Sequence, residues 1–87
     1  MIKINVTQKD INSGVVDSGK KCPIARALKR KGFEQVFVDT KTCLADGMEY
    51  GLPIEARNFI GQFDYGRPVK PFSFILGAGE VNEYREH

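Results

Sequence analysis

Two cysteines and one histidine limit the chemistry open to this chain of 87 residues. Cys22 stands between Lys21 and Pro23, at a helix start where free amides and a neighbouring lysine lower a thiol pKa. A cysteine nucleophile also needs a base. The single histidine, His87, is the final residue of the sequence, and nothing places it beside Cys22. Cys22 therefore reads as a packed helix-start residue and Cys43 as a strand residue. Two thiols with no CxxC spacing and one histidine do not make a four-ligand zinc site or a disulfide framework. Glu49, Glu55 and Asp64 fall at no spacing suited to paired acid–base work. Gly77-Ala78-Gly79 follows a strand pattern, but the helix that a phosphate loop requires does not come after it. These residue types give no enzyme, no metal site and no cofactor site.

What does gather is positive charge. Six of the thirteen Lys and Arg fall between positions 20 and 32: Lys20, Lys21, Arg26, Lys29, Arg30 and Lys31, with no acid among them. A cluster of this kind is the electrostatic footprint of a phosphate-bearing partner, nucleic acid or nucleotide, or of an acidic protein surface. The simpler reading is a solvated helix face. Interleaved exposed aromatics, which base stacking needs, are not evident in the pattern.

The elements that must position these residues follow from periodicity. Ile2, Ile4 and Val6 alternate with polar residues as in a half-buried strand. Thr7 stands three residues before Asp10, close to a capping box, and opens a turn or two of helix over Gln8 to Ser13. Val15 to Lys21 reads as a loop. Pro23 suits the first position of a helix, Ile24, Ala27 and Leu28 share its buried face, and Gly32 ends it. Phe33 to Asp39 reads as a strand, with Val36 and Val38 on one face and Phe37 on the other. Apolar residues on both faces suggest an interior place in a sheet. Asp46-Gly47 between Thr42–Ala45 and Met48–Tyr50 is a hairpin signal. Ala56, Phe59, Ile60 and Phe63 recur at helical spacing after Pro53. Phe72, Phe74 and Leu76 form a last strand, and residues 77–87 are expected to be a frayed C-terminal tail.

The order β-α-β-β-β-α-β predicts one α+β domain, a mostly antiparallel sheet of four or five strands with two short helices on one face. Phe37, Phe72 and Phe74 suggest more apolar surface than two short helices can cover, which favours a homodimer. MIKINVTQKD lacks the layout of a signal peptide, and no apolar run approaches the roughly 20 residues that span a bilayer. The expectation is a cytoplasmic protein without a membrane partner.

Three segments resemble a family of small proteins encoded by bacteriophages and prophages. They are I-x-V-T with a following I-x-x-G (Ile4–Thr7, Ile11–Gly14), C-P-I-A-x-A-L (Cys22–Leu28), and F-I-x-x-F-D-x-G-x-x-V-x-P-F-x-F (Phe59–Phe74). The motifs are mostly core and turn residues, and the family lends no activity or site residues. The resemblance implies a setting: a non-enzymatic accessory protein in a bacterial host that binds a host macromolecule, a host protein above all, and so inhibits a defence or regulatory system. The basic residues 20–31 offer the alternative, binding of nucleic acid or a phosphorylated nucleotide.

Overall fold

Strand alternation and helical spacing place the elements where the sequence puts them. A computed structural model of the protein describes residues 2–77 and the backbone of 81–83. The order is β1 (Ile2–Val6), α1 (Gln8–Ser13), α2 (Pro23–Lys31), β2 (Val36–Val38), β3 (Thr42–Ala45), β4 (Met48–Gly51), α3 (Ile54–Asp64), β5 (Phe72–Leu76) and β6 (Val81–Glu83). The class is α+β. The tail expected from residue 77 contains β6, which pairs antiparallel with β4; positions 78–80 and 84–87 lie outside the described residues.

The sheet is not single. Among the described residues β1 pairs with β5 alone, antiparallel, in the register Ile2 to Leu76 through Val6 to Phe72. The other four strands form a separate antiparallel sheet in the order β2-β3-β4-β6. β2 is therefore an edge strand and not the interior strand its two apolar faces suggested. The reason is local. The outer edge of β2 takes the 15–21 loop, whose Gly19 carbonyl accepts from the Val38 amide at 2.8 Å, and Phe37 is covered in part by that loop. With the loop on that edge, β1 is joined to the second sheet by packing alone. Helix α2 supplies that packing, contacting β1, β2 and α1.

Helix α2 is built for this position. Pro23 follows the cap residue Cys22, and Gly32 ends the helix with its amide directed at the Leu28 and Lys29 carbonyls. Its buried residues are Pro23, Ile24, Ala25, Ala27 and Leu28, which include the whole predicted stripe. Ile4 and Val6 of β1, Val36, Val38 and Cys43 of the larger sheet, and Phe74 and Leu76 of β5 share one core with them.

Helix α3 buries the four residues its spacing predicted, Ala56, Phe59, Ile60 and Phe63. The Phe59 ring lies 4.7 Å from that of Phe72, and Phe72 lies 5.7 Å from Phe74. Centroid separations in this range are favourable for aromatic pairs. Of the three rings that argued for a dimer, Phe74 is buried and Phe72 partly buried within the chain, while Phe37 stays exposed.

The hairpin turn has Asp46 at φ 50° and Gly47 at φ 85°, the two positive values a type I′ turn requires. Asp46 does more than turn the chain. Its Oδ1 accepts from the Glu34 and Gln35 amides at 3.0 and 2.7 Å, which ties the entry of β2 to the β3–β4 hairpin.

Candidate anion-binding site

The capping box read in the sequence is formed, and it starts the site. Thr7 Oγ1 accepts from the Asp10 amide at 3.2 Å, and Asp10 Oδ2 accepts from the Thr7 amide at 2.9 Å. That arrangement turns the Asp10 carboxylate inward, where it is 1% exposed. Arg30 reaches it from α2 with both ends of its guanidinium, Nη1 to Oδ1 at 2.6 Å and Nη2 to Oδ2 at 2.8 Å. Nη2 also donates to the Asn5 carbonyl at 2.6 Å. Burial alone would raise the Asp10 pKa, but the hydrogen bonds from Arg30 and Thr7, with the Arg30 charge, hold it below the usual carboxylate value.

Around this pair lies an open concavity of about 550 Å³. Helix α1 contributes Lys9, Asp10 and Ser13; the loop contributes Val15, Lys20 and Lys21; α2 contributes Arg26, Lys29 and Arg30. Five of the six basic residues singled out in the sequence meet here, and Lys31 does not line the concavity. Lys9 and Ser13 were not singled out, because α1 is too short for its own pattern to say which neighbour it packs on. Only the capping box, by fixing where α1 begins, hinted at its direction.

The basic residues are not equivalent. Arg30 is engaged by Asp10 and Asn5. Lys29 Nζ donates to the Lys20 carbonyl at 3.1 Å and so closes one rim. Arg26 Nε is buried and hydrogen-bonds to no described residue; it lies 3.9 Å from Asp10 Oδ1. A buried N–H without an acceptor is costly, and the nearby Asp10 carboxylate offsets part of that cost. Six cations and one acid line the walls, and that acid already has its partners.

The loop that carries Lys20 and Lys21 is fixed from several sides. The Val15 amide donates to the Lys21 carbonyl at 2.9 Å, and the Cys22 amide to the Ser18 carbonyl at 3.0 Å. Ser18 Oγ accepts from the Lys21 amide at 3.1 Å. Asp64, at the end of α3, accepts from the Asp17 amide at 3.0 Å. The lysine pair is therefore presented by an anchored backbone.

Compared with known proteins, the chain matches no family model, no curated protein and no solved structure.

The cysteines do not form a reactive centre. Cys22 is buried, and its sulfur accepts from the Ala25 amide at 3.5 Å as the cap of α2. Burial raises its pKa against the lowering effect of the Ala25 and Ile24 amides. Cys43 is pushed up to about 12 by burial, with Cys22 adding to the effect. Among the described residues no cluster of three or more His, Cys, Asp and Glu is arranged to hold a metal ion, and no helix is long and apolar enough to cross a membrane.

Among the described residues two aromatics are strongly exposed, and Tyr65, which reads in the sequence as a rim residue or an interface aromatic, is one of them. Tyr65 is 79% exposed, with the Arg67 guanidinium 5.2 Å from its ring centre. Phe37, 47% exposed, stands on the outer face of β2.

Proposed function

We propose that the protein is a non-enzymatic binding module that takes a phosphate-bearing host macromolecule, nucleic acid foremost, into the basic concavity between α1, the 15–21 loop and α2. One observation carries this reading: Lys9, Lys20, Lys21, Arg26 and Lys29 from three elements converge on one hollow whose single carboxylate is already satisfied by Arg30. Converging cations raise the local concentration of an anionic partner and bind it in a salt-dependent way. The resemblance to phage-encoded proteins supports the setting, an accessory protein in the cytoplasm of a bacterial host that acts on a defence or regulatory system.

Fluorescence anisotropy with labelled oligonucleotides at low salt tests the reading. Wild-type protein is expected to bind, with affinity falling steeply as salt rises. A double variant, Lys20→Glu with Lys21→Glu, alters two loop side chains and should lose binding while keeping its melting temperature. Absence of binding by the wild type at low salt would overturn the proposal.

A host-protein partner is the second reading, favoured by exposed Tyr65 beside Arg67. Capture from host lysate with and without nuclease separates the two. A partner that survives nuclease treatment and is lost on Tyr65→Ala supports the protein reading.

A further inference from the structure

Lys20 belongs to two surfaces. It lines the basic concavity, and it also borders an apolar hollow of about 410 Å³ shared with Gln35, Val36, Phe37, Leu44 and Gly47. The charged wall of one hollow therefore continues into the aromatic floor of the other across a single side chain. Phe37 and Leu44 are cross-strand partners, and both lie on the face of the larger sheet opposite Val38 and Cys43, which are buried. Gly19 holds the ring in place. A Cβ at that position would stand 2.7 Å from Phe37 Cε2 and 2.9 Å from Cζ, so the ring packs against bare backbone on one side and reaches solvent with the remainder.

Resting on the phosphate-binding reading, we propose that the nucleic acid bound here is single-stranded, with phosphates in the basic concavity and a base stacked on Phe37. Successive phosphates need a track of cations, and an unpaired base needs an exposed π-face within a nucleotide's reach of that track. Lys20 and Phe37 supply this juxtaposition, with Lys20 as the step between them. A duplex keeps its bases stacked on one another, so it can use the cations but not the ring. On its other side Phe37 borders a smaller hollow that holds Asp17, Asp39 and Asp64, whose carboxylates repel phosphate.

The experiment compares fluorescein-labelled dT12 with a duplex of the same length by anisotropy at low salt, for the wild type, Phe37→Leu and Phe37→Tyr. Leucine keeps apolar packing on Gly19 and Leu44 but removes the π-face; tyrosine keeps it. Tighter binding of dT12 than of the duplex is expected, with Phe37→Leu weakening dT12 about tenfold, Phe37→Tyr close to wild type, and duplex binding unmoved by either. If dT12 and duplex bind alike and Phe37→Leu changes neither, the single-strand inference is overturned and the phosphate reading stands. If neither oligonucleotide binds the wild type, both fall. If Phe37→Leu weakens duplex and dT12 equally with a lowered melting temperature, the ring is structural and stacking is refuted.

Discussion

Asp10 and Arg30, twenty residues apart, form a bidentate ion pair at 2.6 and 2.8 Å that locks α1 onto α2. The pair divides the basic cluster into charges that hold the fold and charges open to a partner. Arg30 belongs to the first group, although its place in the sequence is no different from that of Lys29 or Lys31. Charge reversal at Arg30 would strand a buried carboxylate, so it cannot serve as a neutral probe of binding.

Substituting Asp10→Asn should destabilise the protein by roughly 2 kcal/mol. The change removes the charge of the pair with Arg30 but leaves an amide oxygen able to accept from the Thr7 amide, and the half-exposed Arg30 can recover water in part. The pH dependence has a definite sign. The folded pKa of Asp10 lies below its unfolded value near 3.8, so its stabilisation is fully present above about pH 5 and is lost as pH falls through the folded value. Urea midpoints should match at pH 7 and 5 for this contribution and drop toward pH 3. In Asp10→Asn the drop should be smaller; an equal drop would show that other carboxylates govern it.

Both thiols should be silent in the native protein. Cys22 is held in the core as a helix cap and Cys43 is raised to about 12 by burial, so neither offers appreciable thiolate at pH 8. Reaction with Ellman's reagent should register close to no thiol in buffer and two in denaturant. Rapid native labelling of one cysteine would reopen the question of a reactive Cys22.

Gly19→Ala tests the packing that fixes Phe37. The added carbon would approach three ring atoms at 3.0 Å or less. Overpacking a well-packed core costs about 1–3 kcal/mol; because this ring is half-exposed and can swing toward solvent, the cost should fall at or below the low end of that range. The melting temperature should fall, and Gly19→Ala with Phe37→Ala should recover part of the loss. A wild-type melting temperature for the single variant would mean that the ring moves freely.

Much of this fold was legible in the sequence because its signals are local. The capping box at Thr7 and Asp10, the Asp46-Gly47 turn and the spacing of Ala56, Phe59, Ile60 and Phe63 each involve residues within one element, and each is formed. What was not legible depends on which elements meet. The split of the sheet follows from the Val38 amide pairing with Gly19, a link between a loop and a strand that no periodicity announces. The same link brings Phe37 beside Lys20, so an aromatic and a basic surface adjoin although their residues are not interleaved along the chain. Lys9 joined the site, and Arg30 was tied to Asp10 within it, through α1·α2 packing that α1's six residues could not specify.

Lys31 supplies the sharpest test of whether the concavity, and not the helix face as a whole, does the binding. It belongs to the same run of charge as Lys29 and Arg30, yet it does not line the hollow. If binding reflects only the density of charge on α2, Lys31→Glu and Lys29→Glu should weaken oligonucleotide affinity alike. If the concavity is the site, Lys21→Glu and Lys29→Glu should each weaken it several-fold. Each should also flatten the salt dependence by about 0.7 in log–log slope for every phosphate that the variant no longer neutralises. Lys31→Glu should then act only through long-range charge, an effect that fades above about 0.15 M salt because the screening length there is ~8 Å. Titrations of the three variants at about 50 and 200 mM salt, a range over which phosphate binding changes steeply, separate these outcomes. Equal losses at both salts for Lys31→Glu and Lys21→Glu would dissolve the distinction and return the site to an undifferentiated basic face.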